Sequence, residues 1–258
     1  MTESPAPMPP PLAFSDRAGV RLAYRHRTGT GPTLVFLPGY MSDMEGGKAV
    51  ALDTWAAETG RAMLRLDYAG CGASEGAFRD GTLESWRDDV VQLVESVVEG
   101  PVVLIGSSMG GWLMLLAALA MTPRIAGMVG IAAAPDFTGW GFSDEKRATL
   151  ARGETLEEAS EYSDEPYVTT AAFWRSGEAN RLLGGPIPLT CPVRLLHGQA
   201  DTDVPWRVSV DLAAALTGSD VTVTLVKNGD HRLSRKEDID RLIRTVSELC
   251  KQLEPNSP

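Results

Sequence analysis

Cysteine is scarce in this chain: three in 258 residues, Cys71, Cys191 and Cys250, odd in number and far apart. Such spacing excludes the paired framework of a small secreted scaffold, lacks the close pairs of a zinc site and fits a reducing compartment. Histidine is equally sparse, with His26, His197 and His231 alone, and no cluster of His, Cys, Asp and Glu has metal-ligand spacing. No dinucleotide fingerprint appears either, so neither metal nor cofactor is expected. Basic charge is in deficit: 24 Lys and Arg against 34 Asp and Glu give a net charge of −10, with no basic cluster. Such a surface repels phosphates, which argues against a nucleic-acid partner. Long apolar runs are missing too: the longest, Gly110 to Met121, falls well short of the roughly 20 residues a membrane-spanning helix needs. Residues 1–11 hold five prolines, one acidic residue and no basic one, so they read as a disordered tail without the features of a signal peptide. These absences point to a soluble cytoplasmic protein with a small-molecule partner rather than nucleic acid. Composition leaves monomer and dimer equally open.

What is present is a regular alternation of two periods. Thr33 to Leu37 is an unbroken apolar run, the mark of a strand covered on both faces; Ala62 to Leu66, Val102 to Ile105, Ile125 to Ala132 and Val193 to Leu196 read as further strands, and Val221 to Val226 as the last. Lys48 to Glu58, Leu83 to Val98, the run ending at Met121, Val208 to Leu216 and Asp238 to Leu253 carry helical spacing between them. With Leu12 to Phe14 and Val20 to His26 as an opening hairpin, the pattern predicts an α/β fold with a mostly parallel eight-stranded sheet flanked by helices. About fifty residues separate the strands ending near Ala132 and starting near Val193, more than one crossover helix requires. The expected organisation is therefore a core over 12–135 and 190–253, a small helical cap inserted over 136–189, and tails over 1–11 and 254–258. The insertion interleaves acidic residues with Phe137, Trp140, Phe142, Tyr162, Tyr167, Phe173 and Trp174, either a lid over an apolar pocket or a cap packing its own aromatics.

Chemistry concentrates at Gly106-Ser107-Ser108-Met109-Gly110, a G-x-S-x-G between a buried strand and an apolar helix. Small residues at both flanks allow the sharp turn that projects the central serine, so Ser108 is the candidate nucleophile. A serine hydroxyl needs a base, and the base needs an acceptor that fixes its tautomer. His26 precedes the serine, and His197 ends a strand where a structural role fits better. His231 follows the last strand and gives the order serine, acid, histidine. For the acid, the loop after Val193 to Leu196 offers Asp201 and Asp203, with Asp201 favoured; Asp136 is a rarer alternative, and Asp230 reads as loop-fixing. The oxyanion donors expected are the backbone amides of Met109, after the nucleophile, and Tyr40, after Pro38-Gly39. The loop Ala69 to Ser74 is glycine-punctuated but no helix follows it, so it reads as a tight turn rather than a phosphate cradle.

Leu37-Pro38-Gly39-Tyr40, Asp67-Tyr68 with Gly70 and Gly72, Gly106-Ser107-Ser108 with Gly110 to Met114, Arg194 to Gly198, Asp201, Val204-Pro205-Trp206 and Asp230-His231-Arg232 together carry a resemblance. The chain resembles the α/β-hydrolase superfamily, and within it the family of mitochondrial palmitoyl-protein thioesterases and acyl-glucuronide esterases, from about Gly31 to Leu253. The resemblance implies a triad of Ser108, Asp201 and His231, which favours Asp201 over Asp203, and cleavage of acyl thioesters or esters. The inserted cap matches poorly, and the absence of a transit peptide suggests a bacterial-type cytoplasmic relative.

Overall fold

The structure, a computed structural model, describes residues 7–159 and 166–254. Strands β1 (Ala13–Arg17) and β2 (Val20–Arg27) form an antiparallel hairpin. After it β3 (Thr30–Leu37), α1 (Gly47–Thr59), β4 (Arg61–Leu66), α2 (Leu83–Val97), β5 (Val102–Ser107), α3 (Met109–Ala120) and β6 (Ile125–Ile131) alternate. A segment with α4 (Phe137–Trp140), α5 (Asp144–Ala151), β7 (Leu156–Glu158), β8 (Tyr167–Thr169) and α6 (Ala171–Ala179) follows, and then β9 (Val193–Gly198), α7 (Arg207–Ala215), β10 (Val221–Val226) and α8 (Lys236–Leu253). The main sheet has eight strands in the order β1-β2-β4-β3-β5-β6-β9-β10, antiparallel at β1 and β2 and parallel beyond. That is the α/β-hydrolase fold, with the antiparallel hairpin at one edge and the parallel strands beyond it.

The two-faced burial of the central strands explains their unbroken apolar sequence. Val35, Leu37 and Leu104 pack with Trp86, Val90, Leu93 and Trp112 on one face, while Leu34, Phe36 and Ile105 pack with Leu52, Leu242 and Val246 on the other. Helices α2, α3 and α7 thus cover one side, and α1 and α8 the other. Helix α2 starts where Thr82 and Ser85 exchange side-chain and backbone hydrogen bonds in a capping box, and α1 stops at Gly60, whose left-handed backbone (φ 68°) closes the last turn.

Two features depart from the pattern read in the sequence. The inserted segment pairs β7 with β8 in a separate two-stranded sheet as well as forming helices, a pairing too short to give a periodic signal. Residues 7–11, expected in a disordered tail, lie along the sheet edge: Arg25 donates to the Pro10 carbonyl at 2.6 Å and Arg27 to that of Met8 at 3.1 Å. The rest of that tail, residues 1–6, the C-terminal residues 255–258 and Tyr162 of the insertion lie outside the described residues.

One charged cluster lies within the apolar framework. Arg65, 1% exposed, donates to the Met44 carbonyl at 2.7 Å and to Glu45 at 2.9 Å, and Asp53 binds Arg27 through both oxygens at 2.8 and 3.0 Å while lying 3.4 Å from Arg65. Two guanidinium groups therefore depend on one buried carboxylate, and together they hold the loop before α1 against the sheet. Removing one partner leaves buried charge uncompensated, so Asp53→Ala is expected to cost about 3–5 kcal/mol in urea or thermal unfolding. A loss below about 1 kcal/mol would show that water replaces the carboxylate.

Candidate active site

The turn between β5 and α3 is strained. Ser108 has φ 55° and ψ −121°, a region that L residues occupy only when the surroundings force it. Its N–H donates to the Ile131 carbonyl at 2.9 Å, and its own carbonyl accepts from Gly111 at 2.8 Å and Ala134 at 3.1 Å. Glycine is required at Gly110, where a Cβ would lie 2.5 Å from the Pro38 carbonyl oxygen and closer still to that of Leu37. The α3 terminus consequently packs directly against the end of β3. Ser107, the other serine of the motif, closes β5 and is buried.

His231 and Asp201 arrive from the carboxyl edge of the same sheet, on the loops after β10 and β9. His231 Nε2 is 3.1 Å from Ser108 Oγ, and its Nδ1 is 2.8 Å from Asp201 Oδ2. The other Asp201 oxygen accepts the backbone N–H groups of Asp203 at 2.9 Å and Val204 at 2.8 Å. Burial pushes the Asp201 carboxyl up, but hydrogen bonds from His197, His231 and the Val204 amide outweigh it and hold it well below the usual carboxylate range. With Asp201 ionised, Nδ1 carries the proton and Nε2 is left to accept from the serine hydroxyl.

The competing candidates have other occupations. His197 is fully buried, with Nδ1 2.7 Å from Ser209 Oγ and Nε2 3.0 Å from the Val204 carbonyl and 3.2 Å from Asp201 Oδ2. It braces Asp201 from within the core. Asp136 uses both oxygens on the Leu182 and Leu183 amides, at 2.7 and 2.8 Å, and thereby ties together the two ends of the inserted segment. Asp230 accepts from the Leu233 amide at 2.9 Å and fixes the loop carrying His231. His26 lies in β2, at the antiparallel edge. Asp201, Asp203 and His231 hold potential ligand atoms within 4.8 Å of one another, yet both Asp201 oxygens are already engaged, so the trio is organised by hydrogen bonds.

Among the described residues the backbone N–H groups of Tyr40 and Met109 have no hydrogen-bond partner. The turn carrying Tyr40 is held by Tyr68, whose hydroxyl donates to the Pro38 carbonyl at 2.9 Å. Two clefts meet at Ser108, Tyr40, Tyr167 and His231. One, of about 570 Å³, is walled by Met109, Phe137, Trp140 and Phe142; the other, of about 520 Å³, is walled by Ser42, Lys48, Arg232 and Ser234. Burial, then the nearby Arg232 charge, pull the Lys48 ammonium down to about 8. No sequence pattern marks the polar cleft, because its walls combine several loops with the first turn of α1.

The model of the alpha/beta hydrolase family matches residues 34–245. This chain belongs to the α/β-hydrolase family. It is 41% identical over 249 residues to the mitochondrial palmitoyl-protein thioesterase ABHD10 of Mus musculus, covering 94% of this chain and 83% of that protein. With the same protein of Homo sapiens it shares 38% identity over 247 residues, 94% of this chain and 81% of the relative. Among solved structures, alpha/beta hydrolase domain-containing protein 10 from mouse superposes with a TM-score of 0.88 at 39% identity, over 95% of this chain and all (100%) of that one. A putative hydrolase from Agrobacterium vitis S4 gives 0.86 at 39% identity, over 93% of this chain and 99% of that one. The curated relatives correct one expectation: they are mitochondrial proteins and point to a mitochondrial rather than a cytoplasmic location. Scattered unpaired cysteines fit any reducing compartment and cannot separate the two.

The loops beside the site meet at a buried carboxyl. Asp67 accepts the Met44 amide at 2.7 Å and the Ala73 amide at 2.9 Å. Burial raises it from 3.8 to about 6, against those two hydrogen bonds. An acid whose folded pKa lies above its unfolded one binds more protons when folded, so its contribution is fully present below 3.8 and is lost as pH rises through about 6. Asp67→Asn is expected to flatten that fall in stability between about pH 4 and 6, measured by urea unfolding across pH. An unchanged slope would mean that the carboxyl ionises freely in the folded protein.

Proposed function

We propose that this protein is a serine hydrolase that cleaves acyl thioesters and esters through an acyl-enzyme on Ser108, with His231 as general base and acid and Asp201 orienting it. The observation that carries this reading is the continuous run of contacts at the strained turn, 3.1 Å from Ser108 to His231 and 2.8 Å on to Asp201. Ser108 Oγ attacks the acyl carbonyl and gives its proton to His231 Nε2. The carbonyl oxygen becomes an oxyanion facing the Tyr40 and Met109 amides, whose free N–H groups stabilise it without reorganising. His231 then protonates the departing sulfur or oxygen, takes a proton from water for the second attack, and returns it to Ser108 as the acid leaves.

The substrate class rests on the walls of the two clefts and on the relatives. The mouse and human relatives are palmitoyl-protein thioesterases, and the aromatic wall of Phe137, Trp140 and Phe142, in a cleft that also carries Glu158 and Asp203, offers apolar surface for an acyl chain. The polar cleft on the other side of Ser108 suits the leaving group. In this reading the segment 136–189 is a cap that supplies the acyl wall.

Labelling by a fluorophosphonate tests the reading, because the probe reports an activated serine whatever the substrate. Labelling is expected in the wild type and expected to vanish in Ser108→Ala and His231→Ala. Asp201→Asn is expected to lower kcat on p-nitrophenyl and palmitoyl thioester substrates by about 10⁴-fold, since the wrong tautomer is favoured, whereas Asp203→Asn changes it by less than about tenfold. Retained labelling in Ser108→Ala would remove that residue from the mechanism.

A further inference from the structure

The side chain of Tyr40 reaches into the segment between β6 and β9. Its hydroxyl donates to the Val168 carbonyl in β8 at 2.5 Å. Its ring packs 4.9 Å from that of Phe173 in α6 and 5.1 Å from that of Phe78, with Tyr167 stacked at 6.0 Å. Burial pushes the phenol well above its ordinary value, against a smaller pull from Thr169, so it stays protonated and able to donate. Val168 is buried, and among the described residues β8 pairs with β7 through Leu156, Glu157 and Glu158. A single residue thus offers its N–H to the cleft at Ser108 and its hydroxyl to the backbone of a strand 128 positions away.

We infer that the Tyr40 phenol is a positioning group for acyl transfer: by tethering the Pro38–Tyr40 turn to β8, it makes the placement of the oxyanion amide depend on the β7–β8 pair. The inference rests on the oxyanion role proposed for that amide. Two hydroxyls hold the turn, that of Tyr68 on the Pro38 carbonyl within the core and that of Tyr40 on the Val168 carbonyl in the insertion. An oxyanion donor is effective only while it is held at hydrogen-bond distance from the developing charge, so loosening one tether weakens the transition state more than the bound substrate. The insertion then contributes to the rate as well as to the acyl wall.

Tyr40→Phe removes the tether and keeps the ring. The probes are a trifluoromethyl ketone, which forms a hemiketal oxyanion on Ser108, and the alcohol made by reducing it, which has the same chain and forms no oxyanion. The variant is expected to lose on the order of tenfold in kcat/KM and similarly in affinity for the ketone, with alcohol affinity unchanged within about twofold. Glu157→Pro is the second variant: it breaks the ladder opposite Val168 and the 2.6 Å ion pair with Arg79 while leaving Tyr40 intact. It is expected to give the same ketone-selective loss, and adding Tyr40→Phe to it to cost little more. Unchanged ketone affinity in Tyr40→Phe, or equal losses for ketone and alcohol, overturns the inference, the second by making the phenol a wall of the cleft only. If Tyr40→Phe does not fold, Glu157→Pro decides in the same way. A wild type that neither labels with fluorophosphonate nor binds the ketone would instead overturn the underlying reading of Ser108.

Discussion

The backbone of Ser108 is the constraint around which the molecule is arranged. A non-glycine residue at φ 55° and ψ −121° costs roughly 1–3 kcal/mol, and it persists because three hydrogen bonds from β6, the following loop and α3 enclose it. Those bonds exist only if β5 and β6 pair in register up to Ser107 and Ile131, and only if α3 packs so tightly that Gly110 touches the end of β3. Sheet, helix and turn are one unit. The strain is stored where the side chain has to stand clear of both strand and helix.

The parallel sheet supplies the rest of the site by a geometric necessity. Strands running the same way end on the same edge, so the loops after β3, β5, β9 and β10 converge there although they are far apart in sequence. The loops after β3, β9 and β10 are each fixed by a polar contact: Tyr68 on Pro38, His197 and Ser209 behind Asp201, Asp230 on Leu233. Low dielectric makes such contacts stronger and makes any unpaired member costly, which is why the residues behind the cleft are hydrogen-bonded as fully as those facing it.

The inserted segment is held at both ends and in the middle by different chemistry. Asp136 clamps its entry to Leu182 and Leu183 near its exit, Trp112 of α3 donates to the Asn180 carbonyl at 3.2 Å, and the aromatic cluster around Tyr40 fills the space beneath. This gives the two clefts unlike walls, aromatic on the side of the insertion and charged on the side of α1 and Arg232.

Local pattern determined much of this. The inner strands, the helices of the core and the sharp turn at Ser108 are legible because burial on two faces leaves unbroken apolar runs and because that turn tolerates only small flanking residues. Tertiary structure decided what depends on several loops meeting. Asp201 and Asp203 are two residues apart and equivalent by sequence order, and only the fold of the β9 loop turns Asp201 toward His231 while His197 closes in behind it. Asp136 looks like a candidate acid in the sequence, but the fold spends both its oxygens on amides 46 and 47 positions away. The β7–β8 pair and its bond to Tyr40 left no periodic trace, since three-residue strands are too short to show one and the contact joins residues 128 apart. Sequence specifies what each segment prefers alone; which side chains share a cleft is settled by long-range packing that no window along the chain contains.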